Sequence, residues 1–397
     1  QDLQPFPDAI PTLRMLRRQD ILCFLLTLGN HQRQRSKIEK LGLEQEFDDV
    51  LVSDVDRGAL MSECLRYFLQ KYKLSPAETV IVGDRPGEEI RFGNELGLTT
   101  VQMMHGRFSV ASPRDQFEVP DYRVNHIYQI PALLRLAEMG KTPANLRVVS
   151  LGGGTGLPIV LEGCKTYSQN LTAVVAVTDS GRSSGKLRDE LGMLAPGDIR
   201  NCLVALSEPG EHERRLNELF QYRFHNGSLE GMSLGNLIIA AMTDMTGSFD
   251  RGVRIVSDLL NIRGKVLPST ITDSHVCAEL EDGRIVETEV SVRGLDKPPI
   301  SRVFLKPSDP ETLEETVEEI LGADILVLGP GSLFTSIMPN VLVPRVRKAI
   351  HESRAKVFYV CNVMTQPGQT DGFTAVDHCR ALQKHLGKGA LDFMVTN

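Results

Sequence analysis

The sequence has few cysteines, and they are not arranged for cross-linking or metal binding. Its seven cysteines are scattered along 397 residues without a Cys-x-x-Cys pair, which argues against a disulfide framework or a zinc site and fits a reducing compartment. No apolar run approaches the roughly 20 residues that a membrane helix needs, and no N-terminal charged-then-apolar signal is found. The sequence therefore predicts a cytoplasmic protein that does not insert into a membrane.

The sequence also lacks an excess of basic residues. The formal net charge is -7 and the isoelectric point is about 5.8. Because a protein that coats nucleic acid needs a basic face, nucleic acid is not expected as a partner, although a small basic pocket for one nucleotide remains compatible. The chain begins with Gln1 and stops just after a predicted strand, so we expect it to be a piece of a longer protein.

Strand-like apolar runs alternate with amphipathic helical stretches along the chain, which predicts an α/β protein with parallel sheets flanked by helices. We expect two Rossmann-like domains, residues 1–140 and 147–397, joined by a linker at 141–146. The predicted strands cover residues 21–26, 50–52, 79–82 and 99–103 in the first domain and 147–151, 173–178, 325–328, 357–361 and 393–396 in the second. Alternation over residues 275–292 around Asp282-Gly283 predicts an antiparallel hairpin inserted in the second domain.

The most informative stretch is Gly152-Gly153-Gly154-Thr155-Gly156, between an apolar run and a helical segment. A strand that ends in glycines and continues into a helix holds phosphate in α/β proteins, because the backbone approaches the ligand and the first helical amides point at it. An ordinary strand–helix turn without a ligand is the alternative. The glycines do not fit the dinucleotide pattern Gly-x-Gly-x-x-Gly, and no P-loop motif is present.

Two acidic motifs follow this glycine loop. Asp179 stands after the next predicted strand, where it would accept from ribose hydroxyls, bind a cation, or cap a helix together with Ser180. Asp198 opens another helix, where it would share a divalent ion with Asp179 or act as an N-cap. These alternatives stay open at the level of sequence.

Three polar stretches complete the pattern. Asn236 follows Gly235 at the start of an apolar helix and would either bond a base or sugar or cap that helix. A second glycine loop, Gly329-Pro330-Gly331-Ser332, follows a buried strand and would face the same crevice as the first loop. A long polar loop begins at Asn362 after another buried strand. Together these features predict a phosphorylated ligand.

Six of these stretches resemble the gluconeogenesis-factor (YvcK) family, which shares a superfamily with the 2-phospho-L-lactate transferases (CofD). They are Gly152–Gly156, Thr178–Gly185, Pro196–Asn201, Ser233–Asn236, Gly329–Ser332 and Asn362–Asp371. The resemblance covers residues 147–397 and implies a Rossmann-like cytoplasmic protein that binds UDP-N-acetylglucosamine. It also implies a role in growth on gluconeogenic carbon sources, cell-wall synthesis and cell shape, and it is compatible with a homodimer.

The resemblance implies a set of nucleotide contacts. They are Gly152, Gly153, Gly154, Thr155, Gly156, Asp179, Ser180, Ser183, Ser184, Arg200, Asn201, Gly235, Asn236, Gly329, Gly331, Ser332, Phe334, Asn362, Thr365, Gln366 and Asp371. Phe334 stands where the family has a tyrosine, so ring stacking is retained and a hydroxyl bond is lost.

The transferase relatives imply an alternative function. They move a phospholactyl group from a guanosine diphosphate conjugate to a deazaflavin, with Mg²⁺ held by acids that match Asp179 and Asp198. The family's common Asp-Asp-Gly-Gly motif is Asp179-Ser180-Gly181-Arg182 here, which halves its acidic charge. Because the second domain offers no clear nucleophile or general base, we expect a nucleotide-sugar-binding regulator rather than an enzyme.

The first domain resembles the haloacid dehalogenase (HAD) family in Thr27 after one strand and Asp84 after another. The resemblance implies that Thr27 bonds a phosphate oxygen and that Asp84, with Glu88 or Glu89, holds Mg²⁺. No nucleophilic Asp-x-Asp motif precedes Thr27, and Arg57 is the one candidate for the family's phosphate-neutralising lysine. We therefore expect a degenerate structural domain, or a phosphatase whose nucleophile lies in a missing N-terminal segment.

Overall fold

A computed structural model of the chain describes residues 4–53, 61–109, 111, 113–138, 145–165, 167–208, 210–387 and 389–396. The chain forms two compact units, residues 1–143 and 144–397. None of the helices within the described ranges has the length and apolar character that a bilayer crossing requires. Arg57 lies outside the described residues, as does most of the predicted linker.

The first unit is built from short parallel strands separated by helices. Its strands are β1 (Phe24–Leu28), β2 (Asp49–Ser53), β3 (Val80–Gly83), β4 (Thr99–Met103) and β5 (Tyr122–Val124). Its helices are α1 (Ala9–Arg17), α2 (His31–Lys40), α3 (Met61–Lys71), α4 (Arg91–Glu95) and α5 (Ile130–Glu138). β1 pairs with β2, and β3, β4 and β5 form a second parallel ladder.

The second unit contains a larger set of elements. Its strands are β6 (Arg147–Gly152), β7 (Asn170–Val175), β8 (Lys265–Pro268), β9 (His275–Leu280), β10 (Ile285–Glu287), β11 (Ile300–Lys306), β12 (Ile325–Leu328), β13 (Lys356–Val360) and β14 (Phe393–Val395). Its helices are α6 (Gly156–Lys165), α7 (Arg182–Leu191), α8 (Gly197–Leu206), α9 (Glu211–Gln221), α10 (Leu234–Thr246), α11 (Phe249–Leu259), α12 (Glu289–Val292), α13 (Glu314–Leu321), α14 (Met338–Leu342), α15 (Pro344–Glu352) and α16 (Ala375–Leu386).

Six strands of the second unit form one parallel sheet in the order β14-β13-β12-β6-β7-β8. β6 and β12 are neighbours at its centre, with Leu151 opposite Leu328. Because the register is level, the glycines that follow the two strands start side by side. The N–H of Gly329 donates to the carbonyl of Leu151 at 2.9 Å. The sheet order thus places the two predicted glycine loops at one edge.

The predicted hairpin forms around Asp282-Gly283, between β9 and β10. It belongs to a separate antiparallel sheet in the order β10-β9-β11, and the sequence did not reveal β11. The predicted alternation also ran too far, because the chain turns at Thr288, where φ is 75°, and residues 289–292 are helical. This turn brings the side chain of Glu289 to Asp179.

The main core of the second unit lies between the central strands and the helices that follow β12. It includes Val149 and Leu151 of β6, Leu326 and Leu328 of β12, and Tyr359 of β13, all almost completely buried. The sequences of these strands are mostly apolar, as is typical of a parallel sheet whose two faces are both covered by helices.

Candidate functional site

The two glycine loops of the second unit are in direct contact. A Cβ added at Gly156 would lie 2.4 Å from the carbonyl oxygen of Pro330, and one added at Gly331 would lie 3.2 Å from the carbonyl oxygen of Gly153. Gly154 and Gly329 have φ values of +66° and +78°, which favour glycine. A side chain at Gly156 would separate the loops, so glycine is required there by close packing.

Asp198 is bound to the first glycine loop. Its Oδ2 accepts a hydrogen bond from the N–H of Gly154 at 2.6 Å. Burial raises the pKa of Asp198 to about 6, although the hydrogen bond from Gly154 lowers it, and the charge of Asp179 raises it further. Of the two alternatives for Asp198, the N-cap does not form, because α8 begins at Gly197 and the Asp198 side chain binds the first glycine loop instead.

Asp179 lies close to the start of α8. A Cβ added at Gly197 would lie 3.6 Å from Oδ2 of Asp179 and 2.3 Å from Oγ of Ser184. Oδ1 of Asp179 accepts from the N–H of Gly181 at 2.8 Å. Gly181 is the residue that precedes α7, so Asp179 tightens the turn before the helix and is not its N-cap.

A third acid, Glu289, joins the pair and was missed by the sequence interpretation. Burial raises the pKa of Glu289 to about 8, and its contact with Asp179 raises it further. Nη1 of Arg293 donates to Oε1 of Glu289 at 3.3 Å. The sequence pattern placed Glu289 within the alternating stretch 275–292. The strand β10 ends at Glu287, and an end of the alternation at that residue is the signal that could have shown Glu289 to lie outside a strand.

Arg200 connects the start of α8 to α10. Its guanidinium donates to Oδ1 of Asn236 at 3.2 Å and to Oδ1 of Asn201 at 2.7 Å. Nδ2 of Asn236 donates to Oγ of Ser183 at 3.0 Å. Ser233, and not Asn236, caps α10, because its hydroxyl accepts from the N–H of Asn236. The structure therefore brings Ser183, Arg200, Asn201 and Asn236 together.

The second glycine loop is held by the polar segment after β13. The N–H of Gly331 donates to Oδ1 of Asn362 at 3.0 Å, and Nδ2 of Asn362 donates back to the carbonyl of Gly331 at 2.7 Å. Oγ of Ser332 donates to Oε1 of Gln369 at 2.8 Å. The long polar loop is thus partly used to fix the loop at Gly329–Ser332.

The remaining predicted residues have different surroundings. Thr155 and Thr365 are exposed, and Gln366 is partly buried. Asp371 is exposed and accepts from the N–H of Gly368 at 2.7 Å. Oγ of Ser180 is buried and has no hydrogen-bond partner among the described residues.

Phe334 is a core residue in this structure. It is 3% exposed, and its ring meets that of Phe373 edge to face with 6.3 Å between the centroids. A base that stacked on this ring would have to displace its packing partners. Burial of the Phe334 ring therefore argues against the predicted stacking on a base.

Asn340 is a second buried residue that the sequence interpretation missed. Its Nδ2 donates to the carbonyl of Gly152 at 3.0 Å and to the carbonyl of Ser336 at 2.7 Å. It is fully buried on α14, and it fixes the end of β6 against the turn after the second glycine loop. An asparagine inside an apolar helical run is a signal that could have revealed it.

The described residues contain no group of three His, Cys, Asp or Glu side chains arranged to hold a metal ion. Mg²⁺ commonly uses one or two protein carboxylates together with phosphate oxygens of a substrate. Asp179 and Asp198 supply two such carboxylates within one cluster. The donor set therefore fits Mg²⁺ that arrives with a phosphorylated ligand better than a resident ion.

Two of the predicted acids of the first unit contact Arg85, which is close to them in sequence. Glu88 pairs with Arg85 at 2.6 Å, and Oε2 of Glu89 accepts from the N–H of Arg85 at 3.2 Å. Burial raises the pKa of Glu89. Asp84 directly follows β3, and Thr27 lies within β1 with Val52 opposite. Among the described residues, Thr27 thus lies in one ladder and Asp84 follows a strand of the other.

Two family models match the chain, one in each part. Residues 148–397 match the family model described as 2-phospho-L-lactate transferase CofD. Residues 1–97 match the model described as haloacid dehalogenase-like hydrolase.

Curated relatives match the second part. The gluconeogenesis factor of Halalkalibacterium halodurans is 52% identical over 246 residues, which cover 62% of this chain and 75% of that protein. The gluconeogenesis factor of Bacillus subtilis is 47% identical over 260 residues, which cover 65% of this chain and 80% of that protein.

A solved structure agrees with these matches. The crystal structure of a UPF0052 family member from Bacillus halodurans is 50% identical, with a TM-score of 0.61, and covers 64% of this chain and 80% of its own. The family model spans more than half of the chain and the curated relatives share about half of their aligned residues with it. The chain therefore belongs to the CofD/YvcK family.

Proposed function

We propose that residues 144–397 bind UDP-N-acetylglucosamine at the carboxyl edge of the parallel sheet and that the protein is a regulator of carbon metabolism, cell-wall synthesis and cell shape. The choice of ligand rests on the resemblance of the six stretches to the YvcK family. The curated relatives named gluconeogenesis factor support the metabolic part of this proposal.

The observation that carries the proposal is the contact between the two glycine loops. Gly152–Gly156 follows β6 and Gly329–Ser332 follows the adjacent strand β12. Ligands of open α/β sheets bind outside the carboxyl ends of the strands, where such loops approach them closely. Asp179 and Arg200 lie around the same edge and offer an acceptor for a sugar and a donor for a phosphate, and the buried Asn236 holds Arg200 and Ser183 in place.

The side chains at this edge favour binding over chemistry. Asp198 is held by Gly154, Asn362 by Gly331, and Ser332 by Gln369. Hydrogen bonds of this kind fix a binding surface and reduce the freedom of each group to act as a nucleophile or base. A ligand that changes these contacts would shift the conformation of the loops, and this shift would carry the regulatory signal.

Calorimetric titration of the full chain tests the proposal. We expect UDP-N-acetylglucosamine to bind and GDP to bind more weakly. Uridine and N-acetylglucosamine serve as controls for the two halves of the ligand. Binding of GDP without binding of any UDP-sugar would contradict the regulator proposal.

The neighbouring acids Asp179 and Asp198 favour a second candidate function, a CofD-like phospholactyl transfer. Carboxylates at this position would hold Mg²⁺ that accompanies a guanosine diphosphate conjugate and would neutralise developing phosphate charge. This candidate requires that a deazaflavin also binds. Mass-spectrometric detection of a phospholactyl product after incubation with both substrates would establish it.

A further inference from the structure

We propose that Arg200 and Arg223 form an anion subsite that takes a phosphate group of the ligand. The location of the subsite rests on the proposed function, because the ligand is expected at the same edge of the sheet. Its ability to bind an anion depends only on the two arginines and on the groups that surround them.

Arg200 is buried without a negatively charged partner. It is 3% exposed, and its Nε has no hydrogen-bond partner among the residues that the structure describes. Its two other contacts are the neutral amide oxygens of Asn201 and Asn236. Within the described part of the chain, no carboxylate forms an ion pair with this guanidinium. Buried arginines are ordinarily paired with an acid, so the unpaired guanidinium charge of Arg200 favours an anion from outside the chain.

A second arginine lies near the first. Arg223 pairs with Ser233 in an antiparallel bridge, and Ser233 precedes the first turn of α10. A Cβ added at Gly235 in that turn would lie 2.8 Å from Cδ of Arg200. The exposed Arg223 is therefore held beside the helix turn that packs on Arg200, by this bridge and by its Nη1, which donates to the carbonyl of Gly231 at 3.0 Å.

The two positive charges affect each other. Burial lowers the pKa of Arg200 to about 10, and the charge of Arg223 lowers it further, whereas Asp198 raises it. Two arginines placed close together repel one another unless an anion lies between them. Arginine is well suited to this role, because its planar donors match the oxygens of a phosphate.

The glycine loop is a poorer position for the same phosphate. The N–H of Gly154 is already bound by the carboxylate of Asp198. A phosphate at this amide would compete with that carboxylate and be repelled by its charge. A phosphate is therefore favoured at Arg200 and Arg223 over the amide of Gly154, which Asp198 occupies.

The test is calorimetric titration of pyrophosphate and UDP-N-acetylglucosamine into the full chain and three variants. Arg223→Gln removes the exposed charge, and Arg200→Lys keeps the buried charge but removes the planar fork. Arg215→Gln is the matched control, because Arg215 is an exposed arginine of nearby α9 that pairs with Glu211. We expect the first two variants to weaken pyrophosphate binding about tenfold and the control to change it little.

The outcomes distinguish failure of the anion subsite from failure of UDP-sugar binding. Pyrophosphate binding that depends on Arg223 supports the subsite even if no UDP-sugar binds, in which case only the proposed function fails. Unchanged pyrophosphate binding in both Arg223→Gln and Arg200→Lys, with circular dichroism showing intact folds, overturns the subsite. Failure of the wild-type chain to bind millimolar pyrophosphate overturns it as well.

Discussion

The carboxylate of Asp198 accepts a hydrogen bond from the backbone N–H of Gly154, with 2.6 Å between the two atoms. This bond joins the start of α8 to the loop that the sequence identifies as a phosphate cradle. A Cβ added at Gly153 would lie 2.6 Å from the same oxygen. The loop therefore already holds an anion of the protein's own, and a phosphorylated ligand has to bind with this carboxylate in place.

Gly154→Asp is expected to weaken binding of UDP-N-acetylglucosamine at least about 100-fold. Gly154 has a φ of +66°, which costs a side-chain-bearing residue about 1–2 kcal/mol. The substitution also adds a negative charge to a loop whose amide already binds the carboxylate of Asp198. Gly163→Asp is the matched control, since a Cβ at Gly163 meets nothing within 4 Å. Calorimetry with both variants checks the prediction, and equal affinities would contradict it.

Glu289→Gln is expected to stabilise the protein increasingly as the pH rises. The folded-state pKa of Glu289 is raised to about 8, so the native state holds a proton that the unfolded chain releases above about pH 4.3. Wild-type stability therefore falls between about pH 4.3 and 8, and the glutamine variant avoids this loss. We expect a gain of about 1–3 kcal/mol at pH 8.5 and little change at pH 4.

Thermal and urea unfolding at both pH values measure this difference. Glu287→Gln provides a control on the exposed β10 strand. A gain that is the same at pH 4 and pH 8.5 would show that burial of the Glu289 charge is not its cause.

Asn340→Ala is expected to destabilise the second unit by about 2–3 kcal/mol. The substitution removes the side-chain donor that Asn340 supplies to the carbonyls of Gly152 and Ser336. Among the described residues, the carbonyl of Gly152 then keeps only its bond from the N–H of Ala176. Because these groups border both glycine loops, ligand affinity is expected to fall as well. Urea unfolding measures the loss, with Asn226→Ala, at an exposed position, as the control. A change no larger than that of the control would contradict the assigned role.

Glu118→Gln is expected to lower the melting temperature of the first unit at pH 7. Hydrogen bonds from Arg114 and Arg91 lower the pKa of Glu118 to about 2. Its stabilising contribution is therefore full above the unfolded value near pH 4.3 and is lost as the pH falls towards 2.

The expected decrease in melting temperature should shrink between pH 7 and pH 3. Glu44→Gln breaks the exposed pair with Arg35 in the same unit and serves as the control, with a smaller effect at both pH values. A decrease of the same size at pH 3 would contradict an electrostatic origin.

Local sequence patterns predicted much of the fold because apolar runs, glycines and turn residues act over short distances. β4 and β12 lie at the predicted residues, and the Asp282-Gly283 hairpin forms. β7 ends at Val175, earlier than predicted, because its neighbours end at Gly152 and Pro268 and leave the following apolar residues without ladder partners. β8 and β11 were missed, since each becomes a strand only through pairing with distant segments.

The sequence by itself determined the α/β class, the family of the second part and the two glycine loops, since these depend on local residue order. Tertiary structure decided which partner each polar group takes. The register of β6 with β12 brings the loops together, the fold of α8 places Asp198 on Gly154, and the turn at Thr288 brings Glu289 to Asp179. Such contacts join residues far apart in the chain, and therefore only the folded backbone reveals which carboxylates and arginines face one another.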